Sequence, residues 1–437
     1  MDRINVGLIG FGTVGAGMAE ILTNNRQLIE DRVGAEIVLK KIADLDITSD
    51  RGVKVDPASL TTDAMEIIND PEIDVIVELI GGCDHAMKYI LMAMERGKHV
   101  ITANKALIAQ YGRVLFEKAE QHGVDMAFGA SVAGGIPIIR ALKEGLAANR
   151  IKAVLGILNG TSNYILTRMT QEGLSFNKAL SIAKDLGYAE ADPTLDIDGS
   201  DAAHKLTILI SLAFGFPFTY EEIYKEGIDR ISPEDIKFAG ELGYCLKLLA
   251  IARETGGCIE ARVHPAFVPL DHILANVNEA YNAIYIEGDF AGPTLFYGLG
   301  AGRRPTGSAV VSDLIDIARN KIKGIARRVS PLSFARIPSQ ELSLKAMDQV
   351  ISDYYFRFSA VDMPGVLSKI SGILGGNNIS IASVIQKKRE TSGSVPIVML
   401  THEAKEKDVR KSLGLIDKLD IVTEKTILFR VEKNTGI

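Results

Sequence analysis

The 437-residue chain has no tryptophan, three cysteines and only 6% aromatic residues. Cys83, Cys245 and Cys258 form no CxxC pair and have no following Cys or His at zinc spacing, and three thiols are too few to staple a chain this long. A reducing, cytoplasmic compartment is expected. There is no long basic run and the net charge is −6, so the electrostatic footprint of a nucleic-acid or anionic-membrane binder is missing. Small-molecule partners are favoured. The most apolar later run, 206–216, contains Thr207, Ser211 and Gly215 and falls short of the ~20 residues of a bilayer span. The apolar N-terminal stretch is interrupted by Gly10, Gly12, Gly15 and Gly17 and followed by Glu20, which speaks against a secretion signal. The seven histidines form no H-x-x-x-H or H-E-x-x-H pair, and internal repeats are absent.

What is present is glycine, 41 residues against a usual share of ~7%, so the chain is rich in tight turns. Hydrophobic residues make up 47% and charged residues 24%, enough to bury a sizeable core. At ~150 residues per domain, the length suggests about three domains. From 4 to about 130, strand candidates at 6–9, 37–43, 74–79 and 99–102 alternate with helices at about 14–30, 84–97 and 111–122, which implies an open, parallel α/β sheet. The region 131–320 reads as α+β, with helices at 178–186, 201–213, 233–255 and 308–325 and strands at 153–158 and 283–287. A segment of mixed charge with Pro331 and Pro338 follows, and from 352 a βαββαβ order indicates a ferredoxin-like module.

Gly10-Phe11-Gly12-Thr13-Val14-Gly15 places G-x-G-x-x-G directly after a strand and at the start of a helix. There the glycines permit a tight turn and a close approach of pyrophosphate to the helix N-terminus, where the dipole favours negative charge. Asp44, after the second strand, suits the ribose hydroxyls of NAD. Lys41 and Arg51 lie near enough in sequence to accept the extra phosphate of NADP, so the preference stays open. Lys105 follows the strand 99–102 into a turn, on the side of the sheet where ligands bind.

The densest constellation runs from Gly187 to Lys205, with Glu190, Asp192, Asp196, Asp198 and Asp201 ahead of the lysine. Its spacing lacks the alternation and terminal Glu of a calcium loop. On a helix, 201, 205, 208 and 212 share one face, and Ile208 and Leu212 make that face apolar. Asp201 and Lys205 are therefore expected to line a cavity. Buried charges are costly unless paired, so a ligand carrying both signs, such as an amino acid, would complete the arrangement. A second lysine and partial desolvation would both disfavour the ammonium form of Lys205 and fit it for proton exchange near neutral pH. The Asn159-Gly160-Thr161 turn and the loop 298–308 could each present backbone donors to an anion.

Across its whole length the chain resembles the homoserine dehydrogenase family in its long form, which ends in an ACT domain. The most specific part is Ala183-x-x-x-Gly187-Tyr188-x-x-x-Asp192-Pro193-x-x-Asp196-Ile197-x-Gly199-x-Asp201-x-x-x-Lys205, which fits the family pattern at every defined position. The resemblance implies an N-terminal Rossmann NAD(P)-binding domain over 1–130. A catalytic and dimerisation domain over 131–325 follows, its last helix packing back on the first domain. A linker over 326–351 and an ACT regulatory domain over 352–433 complete the chain. It implies NAD(P)-dependent interconversion of aspartate semialdehyde and homoserine, in the biosynthesis of threonine, methionine and isoleucine, by a homodimer or higher homo-oligomer. Lys205 would be the acid/base and Lys105 its partner, while Glu190 and Asp201 would hold the substrate ammonium. Asp196, Asn159, Gly160 and Thr161 would join the substrate site. Thr13, Val14, Lys105, Gly187, Glu190 and Gly302 would contact the cofactor beside the glycine loop.

The sequence departs from the family at Gly129, where a Glu is usual. That carboxylate and nearby carbonyls hold a structural sodium in the family, so weaker or absent binding is expected from the carbonyls of Val132, Gly134 and Ile136 alone. His85 stands where the family often has Pro, which concerns a helix start rather than the chemistry. In the ACT segment the resemblance points to Asp362, Gly365, Asn378 and Ile379 for an amino-acid effector, with threonine expected on pathway grounds. Two other readings stand beside the leading one: a regulator that binds nucleotide and amino acid without catalysis, and another amino-acid dehydrogenase on the same fold.

Overall fold

Strand β1 (Asp2–Ile9) is buried from Ile4 onward except for the half-buried Asn5, and its two faces serve different neighbours. Ile4, Val6 and Leu8 enter a core shared with α1 (Thr13–Asn24) and the long helix Arg303–Ile322, whereas Gly7 faces Ile67 and Ile73. A strand covered on both sides reads as a continuous apolar run. With β2 (Ala35–Ala43), β3 (Leu60–Thr61), β4 (Val75–Glu78), β5 (His99–Thr102) and β6 (Met126–Ala127) it forms a six-stranded parallel sheet in the order β3-β2-β1-β4-β5-β6. The order reverses between β1 and β4, and a crevice outside the carboxyl ends of strands at such a reversal is where doubly wound sheets take their ligands.

The structure is a computed structural model describing residues 2–216, 218–336, 342–386 and 394–433; of the segment expected as a linker, 337–341 lie outside the described residues. Two compact units emerge, Met1–Gly160 with Asp201–Ile223 and Ala280–Glu341, and Thr161–Ser200 with Tyr224–Glu279 and Leu342–Ile437.

In the first unit the helix expected over 14–30 breaks at Asn25 into α1 and α2 (Arg26–Val33). The helix expected from 111 starts earlier, as α3 (Lys105–His122), because the Asn104 side chain accepts from the Leu107 amide and caps it. Lys105 thus opens a helix rather than lying in a turn. An antiparallel set of three strands, Ile151–Ile157, Tyr281–Gly288 and Gly292–Leu299, completes the unit's β structure. The helix Arg303–Ile322 packs on α1 through facing glycines: a Cβ on Gly17 would overlap the Arg303 carbonyl, and one on Gly307 would sit 2.8 Å from the Gly17 backbone.

In the second unit the sequence expectation fails over 233–255. The helix Pro233–Glu241 stops at Gly243, which takes a left-handed φ of +84°, and Tyr244–Thr255 is a strand paired antiparallel with Cys258–Pro269. The C-terminal βαββαβ segment follows as expected, strands Ile351–Val361, Ile381–Gln386, Ser394–Thr401 and Val422–Val431 with helices Val366–Gly376 and Glu406–Ile416. Its sheet order is fourth, first, third, second, over a core that includes Tyr354, Phe356, Ile370 and Val409. Its last strand pairs in parallel with Cys258–Pro269 through Ala266–Arg430 and Phe267–Val431. No helix among the described residues is long and apolar enough to cross a membrane.

Candidate active site

The three glycines of the nucleotide loop divide the work. Gly10 has φ +102°, and a Cβ there would lie 2.7 Å from the Leu79 backbone; a Cβ on Gly15 would overlap the Gly10 carbonyl oxygen. Both are close-packing positions. Gly12, between them, is the N-cap of α1, and a Cβ on it would meet nothing within 4 Å. The open side of Gly12, with no side chain capping α1 beside Thr13 and Val14, is the space a dinucleotide pyrophosphate requires. These residues fit the cofactor that the sequence implies.

Asp44 stands at the end of β2 as expected, and the loop itself uses its oxygens: the Phe11 amide donates to Oδ2 (2.5 Å) and the Asp46 amide to Oδ1 (2.9 Å). Arg51 lies 3.7 Å from Oδ1, whereas Lys41 is paired with Glu66. Across the crevice, Asn104 Nδ2 donates to the Gly82 carbonyl (2.6 Å). Glu78, which the sequence reading missed, is fully buried at the end of β4 and accepts from Thr102 Oγ1 (2.6 Å) and the Ile80 amide (2.7 Å). Burial pushes its carboxyl up to about 7, against the lowering effect of those hydrogen bonds. Gly302 has φ +119° and is the N-cap of the helix Arg303–Ile322.

The reacting groups converge on Asp201. The helix Ser200–Phe214 is buried all round, so Asp201 and Lys205 are only 6% and 8% exposed. Asp201 Oδ2 accepts from Lys205 Nζ at 2.7 Å and from Asn159 Nδ2 at 2.8 Å, and Oδ1 lies 3.0 Å from Lys105 Nζ. Burial alone would raise the Asp201 carboxyl; the Lys205 and Lys105 ammonium groups outweigh it and hold the group below the usual carboxylate range. Lys205 also donates to the Leu158 carbonyl (2.6 Å), which accepts from Asn282 Nδ2 as well (2.8 Å). A carboxylate between two ammonium groups offsets the lysine–lysine repulsion, one of the two effects behind the proton-exchange expectation. Thr207 and Ser211 on the same helix are buried too, donating to the carbonyls of Ala203 and Thr207, and His204 stacks on Tyr220.

Asn282 was also missed. Its amide lies against Gly300, where a Cβ would overlap it, and its buried Oδ1 has no hydrogen-bond partner. An Asn at the start of a largely apolar strand gives little sequence signal. Gly160 begins the helix Gly160–Glu172 rather than a turn, and a Cβ on it would press on the Ala280 carbonyl at 2.7 Å.

In the second unit Thr161 Oγ1 donates to the Tyr188 carbonyl (2.6 Å) and Ser162 Oγ to the Asp196 carbonyl (2.7 Å), so the acidic segment is tied to the start of the helix Gly160–Glu172. Gly187 takes φ +75°, and Glu190 is exposed. In the C-terminal module Asp362 and Gly365 line a cavity with Met363, Leu367, Gln386 and Ile397. Asn378 and Ile379 follow the far end of the helix Val366–Gly376.

The Ile136 carbonyl accepts from the Ile138 amide, and the carboxylate nearest Gly129 is that of Asp313, whose Oδ2 takes the Gly129 amide at 2.7 Å. A Cβ on Gly129 would lie 2.7 Å from Asp313 Oδ1. Among the described residues no group of three His, Cys, Asp or Glu could hold a metal.

A doubly wound sheet with an open glycine loop, and a buried Asp201–Lys205 pair joined by the part-exposed Lys105 on helices of the same unit, define a nucleotide-dependent oxidoreductase acting on a small molecule. Residues 10–129 match the family described as homoserine dehydrogenase, NAD binding domain, residues 137–315 the homoserine dehydrogenase family, and residues 354–420 the ACT domain. The homoserine dehydrogenase of Neisseria gonorrhoeae is 46% identical over 99% of both chains, and that of Pseudomonas aeruginosa 43% identical over 99% of this chain and 100% of its own. The solved structure of a homoserine dehydrogenase from Thiobacillus denitrificans superposes with a TM-score of 0.92 at 45% identity, covering 99% of both chains. The chain belongs to the homoserine dehydrogenase family: it is an NAD(P)-using oxidoreductase of amino-acid biosynthesis with a C-terminal ACT domain.

Proposed function

We propose that the chain catalyses the reversible NAD(P)H-dependent reduction of L-aspartate 4-semialdehyde to L-homoserine, with Lys205 as the group that exchanges the proton. The observation that carries this reading is the buried carboxylate of Asp201, which binds Lys205, Asn159 and the part-exposed Lys105 at once. Gly10 to Gly15, Lys105, Gly187, Glu190 and Gly302 would hold the nicotinamide cofactor, with Asp44 shaping the loop, and the bound cofactor would supply hydride-transfer chemistry. Lys205 donates a proton from Nζ to the developing alkoxide oxygen and recovers it in the reverse direction. The Asp201 carboxylate and the Leu158 carbonyl fix that ammonium, and Lys105 shares the carboxylate. Glu190 and Asp201 are assigned the substrate ammonium, with Thr161 and Asp196 shaping the segment around Glu190. No step is assigned to sodium.

The proposed division is a Rossmann domain over 1–130, a catalytic and dimerisation domain over 131–325, a linker over 326–351 and an ACT regulatory domain over 352–433. The protein is proposed to work in the cytoplasm as a homodimer or higher homo-oligomer, with threonine as the ACT effector. The test is spectrophotometric: homoserine with NAD⁺ or NADP⁺, with and without threonine. Reduced cofactor from neither pair rejects the reading, whereas insensitivity to threonine removes only the regulatory part. Lys205→Ala is expected to lower kcat by about 10²- to 10⁴-fold while the cofactor Kd stays within twofold. Loss of cofactor binding in a titration would show that Lys205 has a different role.

A further inference from the structure

The residues Tyr224, Lys225 and Glu226 connect two parts of the second unit. The short strand Tyr224–Lys225 pairs with the strand Cys258–Pro269, and the Glu226 amide donates to the Val263 carbonyl (2.8 Å). Lys225 Nζ donates to Ser200 Oγ and lies 3.5 Å from Asp198 Oδ2. Asp198 in turn accepts from the Ser200 amide and hydroxyl, both at 2.8 Å, so these two side chains hold the start of the helix on which Asp201 is the next residue. Two residues beyond Lys225, a Cβ on Gly227 would overlap the Ile197 carbonyl, and the Ile228 amide donates to that carbonyl (2.9 Å). The backbone is pressed against the end of the acidic segment.

The Glu226 side chain points the other way. It accepts from Arg430 Nη1 (3.1 Å) and Arg410 Nη2 (2.6 Å), both from the ACT module, and from the Tyr224 hydroxyl. Arg430 is fully buried, with a two-point contact to Glu406 (2.6 and 2.9 Å), which also accepts from Tyr354 (2.9 Å). A bidentate, desolvated pair of this kind has little freedom to slide.

We propose that Lys225 is a positioning residue for the dehydrogenase reaction and that Glu226 is the joint through which the ACT module sets where Lys225 stands. A shift of the Arg430–Glu406 pair moves Glu226, the adjoining Lys225 moves with it, and the first turn of the helix carrying Asp201 and Lys205 follows. This inference rests on the roles assigned to Asp201 and Lys205 above.

The experiment uses the full-length protein and steady-state homoserine oxidation, with cofactor titration and thermal melting as controls. Lys225→Met is expected to reduce kcat/KM for homoserine about tenfold, with the cofactor Kd unchanged within twofold and the melting temperature within a few degrees. Lys225→Arg, which keeps a donor, should recover most of the loss. Glu226→Gln should show a smaller loss of the same kind, and the double variant should be no worse than Lys225→Met alone, the signature of two residues acting through one path. An unchanged kcat/KM in Lys225→Met, an equal loss of cofactor affinity, or additive losses in the double variant would overturn the proposal. A wild-type protein that fails to oxidise homoserine would instead reject the functional reading beneath it.

Discussion

Glu78 and Asp201 are both buried carboxyls, yet their surroundings drive them in opposite directions. Asp201 has two ammonium partners and stays ionised, whereas Glu78 has only a hydroxyl and an amide and is pushed up to about 7 from an ordinary 4.5. Between those two values the folded chain holds a proton on Glu78 that the unfolded chain has released. Stability from this group is therefore fully present below about 4.5 and is lost as pH rises through about 7. Glu78→Gln keeps the shape and cannot ionise. Its unfolding free energy should exceed that of the parent by a margin that grows from pH 5 to pH 8, reaching at most about 3 kcal/mol. Urea unfolding at pH 5, 6, 7 and 8 checks this, and parallel curves for the two proteins would show that Glu78 is not the source. Asp201 and Lys205 were legible in the sequence because both lie on one helix with Ile208 and Leu212. Glu78 and Asn282 were not: each sits in a largely apolar strand, and what makes it matter is Thr102, Leu158 or Gly300, outside that strand.

At the scale of elements, the glycine loop was legible because a strand, a turn and a helix succeed one another within a dozen residues. The helix expected over 233–255 was misread because Tyr244–Thr255 is buried on both faces and shows no alternation, so its leucines and alanines look helical. Gly240 and Gly243 were the signal that could have ended it. The following strand misleads in another way: Glu260, Arg262 and His264 alternate with apolar residues as on a half-exposed strand, but all three are buried and joined to one another and to Glu432. The glycine loop itself allows a sharp comparison. Gly12→Ala places its methyl in open space, so the melting temperature should stay within about 2 °C, corresponding to less than ~1 kcal/mol, while the cofactor Kd rises tenfold or more. Gly15→Ala drives its methyl into the Gly10 carbonyl and should cost about 1–3 kcal/mol of stability. Melting and cofactor titration of both variants separate the roles; equal melting temperatures for the two would refute the division.

At the scale of the whole molecule, the chain returns repeatedly to two compact units, and the ACT module is not a bead on the end of it. Within the second unit its last strand continues the sheet of Cys258–Pro269, and Phe267 packs on Tyr355 at 4.5 Å and on Phe429 at 5.6 Å. Asp235, completely buried, takes a two-point contact from Arg357 at 2.6 and 3.0 Å and a hydrogen bond from Tyr355 at 3.1 Å. The βαββαβ order was visible in the sequence because it is written in local periodicity. The fusion was not, because it depends on pairings such as Ala266 with Arg430 across more than a hundred residues. Removal of the module would strip partners from Asp235 and leave the apolar edge around Ala266, Phe267 and Val268 unpaired, a template for strand addition between molecules. A chain ended after Val350 should therefore be recovered as aggregate rather than as an active enzyme freed from regulation. Soluble yield, size-exclusion profile and homoserine oxidation measure this, and a soluble truncated protein with parental activity would show that the sheet continuity contributes little to the fold.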